Sequence, residues 1–423
     1  MVGERTQCLQ GVLIAVRNLF CVVVIGSGLA AIIGLVTGTF LRVLYWLTAL
    51  TWETIPEAIA VAPGHPRYTV VICTIGGAIL GLGREHFGDH PGGVDELVAK
   101  IRTGRNIRYS VISKGATNSL ISLVFGASLG PELAVATIAG GLGSRVIDRM
   151  TTMIETTWTA TTVRKSVSLR TVLLTSDRIP QQFGDSDVPP TPRWWWGVPS
   201  FAAIICGLIV LKTAAGSGLH FGYPVPRFRS TIERRLIVAT LVGVVGGVIS
   251  VLYLSLRQYL SRVRVTENLL VQSTIGGFLL GVVGAVAPRI LFSGQDVVGE
   301  LFAGVSLGSE LLLVAGLTKI VVVSVMLETG WKGGPILPLM AGGATLGVGL
   351  AKAMPGVGPV VGLTAMMASL PTAELTRPLI IAGSVGLFFS PSLFLVATVG
   401  ALAGTICVRL AEAFQLSKYA TVP

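Results

Sequence analysis

Uncharged apolar runs of membrane-spanning length recur along this chain and constrain its fold more than any other feature. They cover residues 19–41, 194–211, 236–256, 268–288, 333–351, 355–373 and 378–408. About 20 apolar residues carry a helix across a bilayer. Inside lipid only helices and closed barrels satisfy their own backbone, and continuous runs of this length suit helices. The chain therefore reads as an all-α, polytopic membrane protein. Residues 68–82 and 311–327 are shorter or interrupted by Lys319, and read as short, tilted or broken helices. Charged residues make up 13% of the chain, against about 25% in a soluble domain. Run 19–41 is too long for a signal-peptide core and no small-residue cleavage site follows, so it reads as a retained first helix.

The remaining composition excludes more than it suggests. Five cysteines (Cys8, Cys21, Cys73, Cys206 and Cys407) lie mostly in apolar runs without metal-ligand spacing, and read as buried thiols. Four scattered histidines form no helical metal pair, so neither a metal nor another cofactor is expected. The net charge of +11 comes from Lys/Arg clusters at 100–108, 145–170 and 227–235, whereas loop 51–66 carries Glu53 and Glu57 and, up to Pro66, no Lys or Arg. The positive-inside rule then places the N-terminus and region 83–110 in the cytoplasm and loop 51–66 outside. That bias accounts for the charge more simply than nucleic-acid binding, which is not expected. The lipid bilayer is the partner this composition predicts.

Two stretches echo each other at a fixed offset. Gly126, Gly130-Pro131, Leu133 and Gly143 in FGASLGPELAVATIAGGLG meet Gly330, Gly334-Pro335, Leu337 and Gly347 in TGWKGGPILPLMAGGATLG, each 204 residues on. Val94, Glu96 and Leu97 meet Val298, Glu300 and Leu301 at the same offset, and Ser113-Lys114 meets Thr318-Lys319 with a one-residue slip. An internal repeat in a hydrophobic chain points to a transport path between related halves. Each Gly-Pro suits a helix that begins in mid-membrane, since proline fits the first turn. A helix N-terminus offers unpaired N–H groups and partial positive charge. Two facing N-termini would make an anion site. The plainer alternative is a pair of proline kinks, which the repeated spacing disfavours.

These residues resemble the CLC family of chloride channels and chloride/proton antiporters. Gly333-Gly334-Pro335-Ile336-Leu337-Pro338 resembles the family's G-G-I-F-x-P segment. Gly130-Pro131 resembles the end of its G-K/R-E-G-P segment. Pro91-Gly92-Gly93-Val94-Asp95-Glu96-Leu97 is a weaker echo of G-S-G-I-P-E. Leu375-Thr376-Arg377-Pro378-Leu379 resembles the late R-A-P-L stretch without its alanine. The resemblance runs from about residue 19 to 410 and implies an inverted-repeat fold with re-entrant helices, working as a homodimer with one anion path per subunit. It implies pore or anion-site positions at Gly92, Gly93, Leu129, Gly130, Pro131, Gly334, Pro335, Ile336, Leu337 and, as the inner-gate tyrosine, Tyr419.

The departures bear on mechanism. The family's gating glutamate falls on Leu129, which can neither titrate nor act as a charged plug. Glu132 stands three residues on, in the first turn of the expected helix. There it either caps the N-terminus, the favoured reading, or replaces the gate from a shifted position. Pro335 has no N–H to offer an anion, so Ile336, Leu337 and their neighbours must donate. Gly92 replaces the inner serine. The largest departure is 151–192: near 151–169 the repeat predicts an apolar helix, but the chain is rich in Thr and carries Glu155, Arg164 and Lys165. No spanning helix is expected there, and no counterpart of the family's inner proton-transfer glutamate. A genuine divergent loop and a scrambled stretch from gene decay both fit.

The expected organisation is a cytoplasmic N-terminus (1–18), a first membrane repeat (19–150), the atypical polar segment (151–193), the remaining membrane helices with the second repeat (194–410) and a short tail (411–423) without a regulatory domain. The reading is a passive anion channel of CLC type in a bacterial plasma membrane, not coupled to protons. A chloride/proton antiporter gated by Glu132 and a non-conducting degenerate member are the alternatives. An enzyme fits poorly: no intramembrane Ser/His pair or acidic catalytic cluster occurs, and the glycines from Gly356 lack the Lys-Ser/Thr of a nucleotide loop.

Overall fold

The computed structural model describes residues 2–91, 109–162, 193–216, 231–263, 266–304, 307–354 and 356–420. Helix α1 (Val2–Ala49) passes through a π-helical turn at Leu50–Thr54 into a last turn ending at Ala58. Then follow α2 (Pro66–Phe87), α3 (Tyr109–Val124), α4 (Glu132–Thr162), α5 (Arg193–Ala215), α6 (Ile232–Arg262) and α7 (Leu269–Val286). The chain continues with α8 (Gln295–Ala303), α9 (Ser309–Glu328), α10 (Ile336–Ala353), α11 (Pro359–Ser369), α12 (Pro378–Phe388) and α13 (Phe394–Ala420). Among the described residues, eight helices are long and apolar enough to cross a membrane.

Two elements differ from expectation. Run 378–408 is not one helix: a short 3-10 turn at Pro391–Leu393 separates α12 from α13. Pro391 has no N–H to continue the ladder, and the Ser390 hydroxyl accepts from the Ser392 N–H instead. Lys319 does not interrupt α9, which runs unbroken from Ser309 to Glu328. Its ammonium is buried and donates to the Ile290 carbonyl at 2.7 Å and to the Phe292 carbonyl.

The chain divides into two compact units. One holds most of α1, most of α4, and α5. In it Cys21, Val22 and Ile25 pack with Met153, Ile154, Ala160 and Trp195. A Cβ on Gly34 would stand 2.3 Å from the Gly207 carbonyl oxygen, so α1 and α5 cross with their backbones nearly touching. The atypical segment from 151 begins here as helix, against the expectation that helices are replaced from that point: α4 continues to Thr162 and buries Met153, Ile154, Thr157 and Ala160. Threonine is accommodated because its hydroxyl turns back onto the ladder, Thr157 to the Met153 carbonyl at 2.8 Å and Thr161 to the Thr157 carbonyl at 2.7 Å. The apolar part of α4 nevertheless ends at Gly143. Arg164, Lys165 and the rest of 163–192 lie outside the described residues.

The second unit holds the repeat. Helices end at Ala58 and Arg262, and at Val124 and Glu328, and begin at Glu132 and Ile336, each pair 204 residues apart. Helices α2 and α7 are repeat mates and pack on each other. A Cβ on Gly77 would lie 2.4 Å from the Ser273 oxygen, and one on Gly281 2.7 Å from the Val70 Cα. At the 204 offset Gly77 becomes Gly281, and Thr69-Val70 becomes Ser273-Thr274, so the contact reproduces itself under a local two-fold axis. Cys73 and Gly277, themselves mates, touch at that axis: a Cβ on Gly277 would stand 2.3 Å from the Cys73 oxygen.

Candidate anion site

The same two-fold relation governs the centre of this unit. Gly130 donates its N–H to the Gly334 carbonyl at 2.8 Å, and Gly334 donates to the Gly130 carbonyl at 2.8 Å, a lone antiparallel bridge between repeat mates. Pro131 and Pro335 follow, and α4 and α10 start immediately after them, at Glu132 and Ile336. Both helices therefore begin at one point, as the Gly-Pro spacing predicts. The N-terminus of α10 is already engaged. The Leu337 N–H donates to Glu132 Oε1 at 3.0 Å, and the N–H groups of Ile336 and of Glu132 itself also turn to this carboxylate. Glu132 thus caps a helix, but chiefly the one belonging to the other half of the repeat.

The seat is shaped by glycine. A Cβ on Gly130 would come 1.9 Å from Glu132 Oε2, and one on Gly334 2.3 Å from its Cδ. Oε2 is buried and has no hydrogen-bond partner among the described residues. Leu129 is 1% exposed and packs against Gly333.

Each half turns towards its Gly-Pro through a left-handed glycine, Gly126 at φ +86° and Gly330 at φ +82°, where a side chain would be strained. The covers of these mated turns differ chemically. Over Gly126 lies Trp52, whose ring would meet a Cβ there at 2.7 Å. Its Nε1 donates to the Val124 carbonyl at 2.9 Å, and the ring packs edge-on against Phe292 and Tyr68. Over Gly330 lies the guanidinium of Arg84, 2.0 Å from a would-be Cβ. Tyr68 and Arg84 sit at opposite ends of α2, separated by about 24 Å of helix rise, so the two turns face opposite ends of this unit.

Arg84 is only 3% exposed and donates to Ser273 Oγ at 2.8 Å, to Gln272 Oε1 at 3.1 Å and, from Nε, to Asp89 Oδ1 at 2.6 Å. Lys332 Nζ reaches the same oxygen at 2.8 Å. Partial burial alone would push the Asp89 carboxyl up, but the Arg84 hydrogen bond and the Lys332 charge outweigh it and bring it down to about 2. Gln272 also donates to the Glu328 carbonyl at 2.9 Å. Glu328 in turn pairs with Arg257, which holds Glu374 at 2.6 Å.

Of the residues singled out in the sequence, the fold brings together Leu129, Gly130, Pro131, Glu132, Gly334, Pro335, Ile336 and Leu337. Gly92 and Gly93 lie outside the described residues. Tyr419 falls in the last turn of α13, and its side chain also lies outside them. The sequence reading missed Arg84, Asp89 and Lys332. One signal was present: within the echoed motif Lys332 is the mate of Ser128, a charge against a hydroxyl.

Comparison with known proteins bears on this geometry. Residues 191–405, just over half of the chain, match the family described as "Voltage gated chloride channel". The chain belongs to the voltage gated chloride channel family. The "Putative ion-transport protein YfeO" of Salmonella newport and that of Salmonella typhimurium are each 26% identical to it over 316 residues, 70% of this chain and 72% of theirs. Solved structures of the same fold include a CLC-type fluoride/proton antiporter, at 18% identity and TM-score 0.62, covering 90% of this chain and 95% of that one. A slow cyanobacterial Cl−/H+ antiporter matches at 14% identity and TM-score 0.68 over 91% of this chain and 94% of its own. At such identities the likeness is one of fold, and it fits the helical, inverted-repeat architecture described above. Membership makes this a multi-pass membrane protein of an anion-transport family.

Proposed function

We propose that the protein is a passive pathway for chloride or a similar small anion, closed by the Glu132 carboxylate at the N-terminus of α10. The observation that carries this reading is the Glu132 Oε1 to Leu337 N–H bond of 3.0 Å, formed across the repeat at the N-terminus of α10. A carboxylate accepts from the same donors that would hold a halide, so its place marks the anion's place. An oxygen left buried without a donor is costly, which favours a side chain that leaves. Passive movement follows from Leu129, which offers no proton carrier at the family's gate. On the same reading the working unit is a homodimer in the plasma membrane, with the N-terminus in the cytoplasm.

Chloride efflux from proteoliposomes tests this. Glu132→Gln weakens the plug and is expected to raise the rate severalfold, and a chloride gradient should move no protons. Flux no greater than in protein-free liposomes, from protein shown to be folded, sinks the proposal. The reach of Glu132 across the repeat favours one second reading, exchange with Glu132 as the moving proton carrier. Chloride-driven proton uptake that Glu132→Gln abolishes would select it.

A further inference from the structure

We propose that Arg84 and Lys332 form a second anion site, at the solvent-facing mouth beside the α10 turn, and that Asp89 is its resident and removable carboxylate. This rests on anion transport as the activity, not on Glu132 being the gate.

The cluster is built unevenly. Its two cations are withdrawn from water, the side chains of Arg84 and Lys332 being 3% and 13% exposed, while that of Asp89 is 51% exposed. Arg84 is anchored independently of Asp89 by Ser273 and Gln272. Asp89 follows the end of α2 and enters the cluster from the water side. If it swings out, Arg84 keeps its place. One oxygen, Oδ1, takes both Arg84 Nε at 2.6 Å and Lys332 Nζ at 2.8 Å, as a single monatomic anion would. Basic groups gathered where water reaches them raise the local anion concentration, and here two of them converge on one oxygen of an exposed acid.

The repeat shows that this charge is not demanded by the fold. The mated turn at Gly126 is covered by an uncharged indole, and Ser128, the mate of Lys332, simply donates to the Ile290 carbonyl at 2.8 Å. The glycine at that turn is thus covered without an ion, and the buried cation of the supporting loop, Lys319, is taken up by the Ile290 and Phe292 carbonyls, whereas the Gly330 end carries two cations converging on an exposed acid. Lys332 stands two residues before the bridged Gly334, so an anion held there is one short step from the α10 N-terminus. The ligand class is a small inorganic monovalent anion. Nothing covalent changes; one carboxylate is exchanged for one anion between Arg84 and Lys332.

Bromide is the probe, because it scatters anomalously. Crystals of the full-length protein carrying Asp89→Ala and soaked in sodium bromide should show bromide between Arg84 and Lys332. If Asp89 fills the site in about nine molecules of ten, removing it tightens apparent bromide binding by about tenfold in calorimetry. Adding Lys332→Gln to Asp89→Ala should abolish both signals. A folded Asp89→Ala protein with no bromide at this position and unchanged affinity overturns the proposal. Should Asp89→Ala not fold, Asp89→Asn removes the charge at nearly constant shape and the same two outcomes decide. Bromide at Leu337 but not at Arg84 would leave the central site standing and this one refuted. Bromide at Arg84 alone would do the reverse.

Discussion

At the scale of single residues, the centre of the protein depends on two positions where no side chain fits. Gly130 and Gly334 donate to each other and leave between them the space that the Glu132 carboxylate fills. Gly334→Ala would set a Cβ 2.3 Å from Glu132 Cδ. The carboxylate must then leave its seat, at a cost of about 1–3 kcal/mol in stability, the usual range for overpacking. The expected functional result is a rise in chloride flux similar to that of Glu132→Gln. Because both substitutions empty one seat, the double variant should be no faster than either single one. Efflux rates from the four proteins check this, and rate increases that multiply would mean that Gly334 and Glu132 act separately. Leu129 belongs to the same scale. It is buried beside Gly333, three residues before the acid that reaches across the repeat.

At the scale of elements, the α2–α7 crossing sets the frame for both turns. Gly77, Gly277 and Gly281 let the two backbones meet, and in lipid, where apolar surface alone gives little attraction between helices, such close packing is a main source of association. Gly77→Val would drive two methyl groups into Ser273, the residue that also anchors Arg84. A loss of about 1–3 kcal/mol or somewhat more is expected, on the scale of overpacking in packed cores, read as a lowered thermal midpoint of the purified protein. Lys319 ties α9 to the loop that supports the Gly126 turn. Its ammonium holds the Ile290 carbonyl, which Ser128 also uses, and the Phe292 N–H donates to the Gly126 carbonyl at 3.3 Å. Lys319→Met keeps the stem and strands those carbonyls, so it should cost about 1–3 kcal/mol, again read from the thermal midpoint. Most elements were legible as apolar runs. Those that were not owe their form to hydrogen bonds that hydropathy does not register: the threonine-rich end of α4, bonded back onto its own carbonyls, and the break between α12 and α13, where Ser390 replaces a ladder bond.

At the scale of the whole molecule, the repeat offset was enough to locate the helix starts and the bridge, because a symmetric contact joins residues that already look alike. It could not locate the Arg84–Asp89–Lys332 cluster, because there the symmetry fails: none of the three has a charged mate at the 204 offset, and Lys332 lies more than two hundred residues from the other two. This asymmetry gives the molecule a pH-dependent tie between α2 and the segment leading into α10. In the folded protein the Asp89 carboxyl is held at about 2, below the roughly 3.9 of an unfolded aspartate. A depressed carboxylate stabilises the fold fully above its unfolded pKa, and that contribution is lost as pH falls through the window towards the folded value. From pH 7 down to about 5 the tie should therefore be constant, and between about 4 and 2 it should fade. Other acids titrate there too, so the quantity to measure is the difference in thermal midpoint between the wild type and Asp89→Asn. That difference should be constant at neutral pH and shrink as the buffer is taken from pH 5 to 3. A difference that stays level over this range would mean that the Arg84–Asp89–Lys332 bonds do not hold the carboxylate as the distances indicate.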